Sequence, residues 1–166
     1  MTGADGETSD ANRVAAVTLD ERSVTRRNRD IERERQAAIA DLLDSNSFTP
    51  ADPGVAPGPY ALHLRLAEKR LDIEIHVQGG AYQTTAAVPL AAFRRIIKDY
   101  FRVCESYYEA IRSASPSQIE AIDMGRRGLH NEGSELLQDR LARTAEVDFD
   151  TARRLFTLLC VLQARG

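Results

Sequence analysis

Residues 60–89, YALHLRLAEKRLDIEIHVQGGAYQTTAAVP, carry the reading on which the fold rests. Tyr60, Leu62, Leu64 and Leu66 alternate with Ala61, His63 and Arg65, and Leu71, Ile73, Ile75 and Val77 alternate with Asp72, Glu74 and His76. Tyr82, Thr84, Ala86 and Val88 continue the same period. A strand points successive side chains to opposite faces, so this alternation marks half-buried strands and identifies their buried sides. Glu68 and Lys69 centre one turn, and Gly79-Gly80 suits a two-residue hairpin that needs positive φ. Pairing Leu66 with Leu71 and Val77 with Tyr82 puts every large apolar residue on one face, whereas a one-residue slip would bury charges. The expectation is an antiparallel meander of three strands, or four if Val14–Leu19 (VAAVTL) joins it.

Outward from the strands the pattern turns helical. Between Asp20 and Gln36, 11 of 17 residues are charged, while Ile31, Ala38, Ile39, Leu42 and Leu43 recur at helical spacing. The spacing predicts an amphipathic helix over about 29–45. Pro50–Pro59 holds four of the six prolines together with Gly54 and Gly58, and reads as a flexible loop within the domain. Downstream, Leu90, Phe93, Ile97, Tyr100, Cys104, Tyr108 and Ile111 form a stripe over about 89–113, with Pro89 suited to its first turn. Ser115, Pro116 and Gln118 place a capping box before Ile119, Ile122 and Met124, and Gly125 reads as a left-handed stop. Further helices are expected over about 131–143 and 151–164, the last capped by Asp148 or Asp150. The result is a single α+β domain over 13–166, its meander packed on one face by about five helices, after a disordered acidic tail at 1–12.

The chain has 166 residues, 43% hydrophobic and 28% charged, a composition that suits one globular domain and excludes fibrous and disulfide-stapled classes. Its longest near-apolar run, Leu155–Leu162 (LFTLLCVL), falls well short of the roughly 20 residues needed to span a bilayer. No secretory signal opens the chain, and Cys104 and Cys160 sit singly in apolar stretches as reduced, packed thiols, so a cytoplasmic location is expected. The tail carries Asp5, Glu7 and Asp10 without a cation, which leaves the remainder with 22 acidic and 22 basic residues. A domain without net charge disfavours nucleic acid as a partner. Arginine outnumbers lysine 20 to 2 and occurs in four Arg-Arg pairs, close to what chance gives at this composition.

Three polar constellations merit weighing. On the other face of the strands His63 opposite Glu74, with His76 diagonal, resembles a two-histidine, one-carboxylate metal set, but cross-strand charge pairing is the commoner meaning and no metal is assigned. GRRGLHNEG, Gly125–Gly133, reads as a glycine-rich link before a helix amino terminus, where Arg126, Arg127, His130 and Asn131 meet an anion. There His130, with Glu132 or Asn131 orienting it, is also a candidate general acid or base. Arg94, Lys98 and Arg102 form a basic edge on the long helix, partly neutralised by Arg95/Asp99 and Arg102/Glu105 pairing.

The blocks IEAIDMGRRGLHNEGSELL, FRRIIKDYFRVCESYYEAI and VDFDTARRLFTLLCVL, with VTLDERS and PYALHLRL, resemble uncharacterised protein family 0262, small bacterial proteins with no assigned activity. The resemblance runs from about Val14 onward. It implies no substrate, cofactor or catalytic residue. The tail, the proline-rich loop, the Gly79 turn and His76 depart from the family pattern. Residue chemistry alone therefore sets the functional expectation, a binding or regulatory module for a small anionic ligand or an acidic partner surface, without cofactor. Its site is Arg126, Arg127, His130 and Asn131, aided by Arg94 or Lys98. The alternatives are an enzyme using His130 and Glu132 and a pure protein-interaction module, and the oligomeric state is not set by the sequence.

Overall fold

The computed structural model describes residues 11–20, 22 and 29–164, so most of the expected acidic tail, residues 1–10, lies outside the described residues. In chain order the elements are β1 (Val14–Leu19), α1 (Arg29–Asp44), β2 (Phe48–Pro50), β3 (Tyr60–Ala67), β4 (Arg70–Val77) and β5 (Tyr82–Pro89). They are followed by a 3₁₀ turn (Ala91–Phe93), α2 (Arg94–Ser113), α3 (Pro116–Leu141), β6 (Ala145–Val147) and α4 (Phe149–Gln163). The fold is α+β, with four α-helices among the described residues and a four-stranded sheet ordered β1-β3-β4-β5.

β3, β4 and β5 pair antiparallel in chain order, and the pairs Leu66↔Leu71, His63↔Glu74 and Arg65↔Asp72 form as the alternation requires. Two details differ. The fourth strand is not part of a meander, because β1 lies parallel to β3 and the chain crosses over through α1 to return. At the hairpin Val77 does not face Tyr82: His76 does, across an irregularity after Ile75. There the Gly80 N–H donates to the Val77 carbonyl at 2.9 Å around Gly79, whose φ is +69°, a turn with one more residue than the expected hairpin. A bulge absorbs the added residue and leaves the inward face of β4 unchanged. A second, two-stranded sheet joins β2 to β6.

Asn12 is tied to β2 through its carbonyl, which accepts the Phe48 N–H at 3.0 Å. Pro50 itself ends β2, and the rest of the proline-rich segment carries its own bonds, from Gly54 N–H to Asp52 Oδ1 at 2.7 Å and from the Tyr60 hydroxyl to the Ala56 carbonyl at 2.8 Å.

The larger correction concerns the helices. Gly125 does not stop a helix: α3 runs unbroken through it, and the expected five helices become four. Among the described residues only Gly79 has positive φ, so Gly125 and Gly128 adopt ordinary helical backbone. An interior glycine costs about 1 kcal/mol of helix propensity, which a 26-residue helix capped at its start by Ser115 and buried toward its end at Gly133, Ser134, Leu137 and Leu141 offsets. Gly133 has a positive reason to be there, since a Cβ at that position would overlap the Phe156 ring of α4. Pro89 ends β5 and does not open the long helix, which begins at Arg94. The caps form as expected: Ser115 and Gln118 make the reciprocal box, and Asp148 caps α4 through the Thr151 N–H. α4 contacts α1 and α3 and supplies a run of buried residues from Leu155 to Leu162, making it the helix around which the others pack.

Candidate functional site

Because α3 is continuous, GRRGLHNEG contains no helix amino terminus, and the backbone N–H cradle expected there does not exist. Continuity does something else. Arg126 and His130 stand one turn apart, as do Arg127 and Asn131, so the four project along one side of the helix. That side borders a hollow of about 510 Å³ walled by all four helices. α1 contributes Glu34 and Asp41, α2 contributes Tyr100, and α4 contributes Arg153, Arg154 and Thr157.

The two arginine pairs are held differently. Asp123, one turn before them on α3, accepts from Arg126 Nε and Nη2 at 3.0 and 2.6 Å and meets Arg127 Nη2 at 2.8 Å. The Arg126 hydrogen bond is the main reason the Asp123 carboxyl titrates below its usual range. Arg126 is also stacked on Tyr107, its guanidinium carbon 4.8 Å from the ring centre. On α4 the partner is Asp150, yet its Oδ1 stands 3.6 Å from Arg153 and 3.7 Å from Arg154. Those separations exceed the roughly 2.7–3.2 Å of a formed N–H···O bond. Arg153 Nε is buried without a hydrogen-bond partner.

His130 packs edge-to-face against both Tyr100 and Phe156, with ring centres 5.4 and 5.1 Å away, and those two rings also meet each other at 6.2 Å. Burial first, and then the positive charges of Arg153, Arg126 and Arg154, pull its pKa down to about 4. The imidazole is therefore neutral at pH 7, and its neighbours select the tautomer. Thr157 donates its hydroxyl proton to the Arg153 carbonyl and Ser134 donates to the His130 carbonyl. Neither proton remains for the ring, so Nε2–H donates to Thr157 Oγ1 at 2.8 Å and Nδ1 keeps its lone pair. Glu34 shifts the opposite way: burial raises its pKa, opposed by the Tyr108 hydroxyl bond at 3.3 Å and by Arg126.

Of the residues expected from sequence, Arg126, Arg127, His130 and Asn131 line this one hollow. Glu132 is exposed and does not, because two residues along a helix turn a side chain to the far side. Arg94 and Lys98 border a separate hollow near the start of α2, and the pairing expected between Arg95 and Asp99 or Arg102 and Glu105 is absent among the described residues. On the sheet's polar face His63 Nδ1 meets the Thr18 hydroxyl at 2.7 Å and His76 meets Glu74 at 3.3 Å, while Arg65 and Arg70 clasp the buried Asp72. Among the described residues no group of three metal-ligating side chains gathers. Cys104 and Cys160 are free thiols whose pKa values burial raises.

Sequence reasoning missed Glu34, Tyr100, Arg153, Arg154 and Thr157. For α4 the signal was available: Arg153, Arg154 and Thr157 are the polar positions on one side of an otherwise apolar helix. Glu34 offered none, since it sits in a run where most residues are charged.

No helix among the described residues is long and apolar enough to cross a membrane. No solved structure matches the chain. A UPF0262 protein of Xanthobacter autotrophicus is 57% identical over 155 residues, covering 93% of this chain and 93% of its own. One from Azorhizobium caulinodans is 56% identical over 162 residues, covering 96% and 99%, and one from Rhizobium etli is 56% identical over 154 residues, covering 93% and 96%. The sequence model of the uncharacterised protein family UPF0262 matches residues 11–165, from the residue before Asn12 to the end of α4 and beyond, so the four-helix hollow lies wholly within it. Matched over nearly its whole length, and sharing more than half its residues with these bacterial relatives, the chain belongs to the uncharacterised protein family UPF0262.

Proposed function

We propose that the four-helix hollow binds a small anionic ligand and that the protein acts as a binding or regulatory module. The observation that carries this reading is the α4 arginine pair. Arg153 and Arg154 face the hollow, stand beyond hydrogen-bond distance of the Asp150 carboxylate, and include a buried Nε with no partner. A buried guanidinium donor left unpaired is costly, and a carboxylate or phosphate matches its fork with two parallel bonds. The depressed His130 pKa supports the same reading, because it registers positive charge from three of the four arginines at one point. A volume of about 510 Å³ suits a ligand of metabolite size. Neutral His130 and Tyr100 add ring surface to the wall, so the ligand also presents an apolar or ring portion.

A second reading, acid–base chemistry in the same hollow, is favoured by one observation: Glu34 is pushed up and His130 pulled down side by side. In that reading Glu34, not Glu132, accompanies His130.

Inorganic phosphate and succinate, each titrated against chloride at equal ionic strength, test the binding reading by thermal melting. Wild type is expected to gain melting temperature saturably with at least one probe, and Arg153→Ala and the more exposed Arg127→Ala to bind it roughly tenfold more weakly. Equal shifts in chloride, or a probe response that both variants retain, would overturn the reading. Consumption of the probe, abolished in His130→Gln, would favour the catalytic reading instead.

A further inference from the structure

We propose that the separate hollow at the start of α2 binds an amphipathic monoanion, a carboxylate carried on an aliphatic tail. The proposal uses none of the residues of the four-helix hollow and stands apart from the function proposed for it. The space measures about 430 Å³. Lys69 from the β3–β4 turn and Arg94 and Lys98 from the first turns of α2 stand around it, and Leu90, Ile97 and Phe101 supply its apolar surface. Among the described residues Glu68 is the one carboxylate at its edge.

The charge arrangement is unlike that of the first hollow, where every arginine has a carboxylate within ion-pair distance. Among the described residues neither Lys69, Arg94 nor Lys98 has an ion-pair or side-chain hydrogen-bond partner. Arg94 and Lys98 lie at i and i+4, a like-charge spacing that destabilises a helix by a few tenths of a kcal/mol. The first turn of α2 contains no acidic residue, so Arg94 and Arg95 add to the positive end of the helix dipole. Each of these local penalties is removed by one bound anion.

The apolar part explains why a simple inorganic anion is not the best occupant. Leu90 and Ile97 are buried at 7% exposure each, and Phe101 packs on the same core. The cations stand where the long stems of Lys and Arg reach solvent, and the apolar surface lies below them. A ligand whose head meets the ammonium and guanidinium groups while its tail lies on the half-buried Phe101 and the rims of Leu90 and Ile97 satisfies both. The layout is fixed by the backbone: the Leu90 N–H donates to the Lys69 carbonyl at 3.0 Å, pinning the β3–β4 turn against the start of α2, and the Phe93 N–H donates to the Leu90 carbonyl at 2.9 Å.

Amide chemical shifts of the full chain, titrated with sodium octanoate below its micellar concentration, test the proposal. Acetate supplies the head alone and 1-octanol the tail alone. Octanoate is expected to move the amides of Lys69, Leu90 and Ile97–Phe101 saturably while leaving His130 in place, and neither control is expected to saturate. Arg94→Ala/Lys98→Ala should bind octanoate roughly tenfold more weakly or worse. Its spectrum reports whether it is folded, and Lys69→Ala serves as the variant if it is not. Shifts scattered over the surface, saturation by 1-octanol or acetate alone, or affinity unchanged in the folded variants would overturn it.

Discussion

At His130 a ring that ordinarily titrates near the middle of the physiological range is held neutral by where it stands. Tyr100 and Phe156 pack against the ring and help to bury it, and the arginines of α3 and α4 repel an added proton. An unfolded histidine titrates near 6.5, whereas His130 in the fold titrates near about 4. With the folded value lower, the unfolded chain binds the proton first. The stability contribution is complete above the unfolded pKa and is lost as pH falls through the folded one. Urea midpoints are expected to decline between about pH 6.5 and 4, His130 accounting for up to ~3 kcal/mol of the loss. Glu34 has the opposite sign: its folded pKa is raised, so its contribution is present at low pH and lost as pH rises through that value. In His130→Gln the decline between about pH 6.5 and 5 should flatten, because few carboxylates titrate there. An unaltered slope in that variant would mean that the ring is protonated in the fold and that the tautomer assigned from Thr157 and Ser134 is wrong.

Among the elements, α3 shows most clearly what the sequence disclosed and what it hid. Strands with a period of two were legible because each residue reports its own face, and the β3–β4 register followed from the same pattern. Capping was legible at Ser115 and Asp148, where a side chain serves the backbone beside it. The glycines were not, because a residue without a side chain does not say whether it ends a helix or admits a neighbour. Gly133 admits Phe156, while Gly125 and Gly128 face open space. Opposite outcomes follow for one substitution. Gly133→Ala is expected to destabilise by ~1–3 kcal/mol through overpacking, and Gly125→Ala to stabilise by about 0.5–1 kcal/mol through helix propensity. Denaturant midpoints of the two variants beside wild type check both. A destabilising Gly125→Ala would show that the helix bends or opens there in solution. The same limit applied to the site: with Gly125 read as a stop, Arg126 and His130 could be grouped only as neighbours in a link and not on one helix side, and the α1 and α4 walls depend on helix packing that no local pattern encodes.

For the whole molecule the parallel placement of β1 sets the hardest requirement, because the strand must be carried across α1 before it meets β3 and its pairing is not closed by a local turn. Asn46, just past the end of α1, makes the join. Its Oδ1 accepts the Val14 N–H at 2.7 Å, and its Nδ2 donates to the Val14 carbonyl at 2.9 Å and to the Leu42 carbonyl at 2.8 Å. Val14 and Leu42 are both fully buried and the bonds themselves part-buried, so water replaces them poorly if the amide is removed. One side chain thereby fixes the last turn of the crossover helix, the first residue of the edge strand and, through Phe48 and Asn12, the start of the small sheet. Asn46→Ala is expected to cost ~2–4 kcal/mol, since each buried backbone group left unpaired costs about 1–3 kcal/mol. That is a large share of a domain stability of about 5–15 kcal/mol. Urea unfolding should show a lower midpoint with an unchanged slope, and amide exchange should quicken across Val14–Leu19 well before β4. Asn46→Asp keeps the acceptor for Val14 N–H but sets a carboxylate against two carbonyl oxygens, so it should not restore wild-type stability. An Asn46→Ala protein within about 0.5 kcal/mol of wild type, the range of ordinary surface changes, would mean that strand pairing with β3 alone holds β1 and that the crossover needs no clasp.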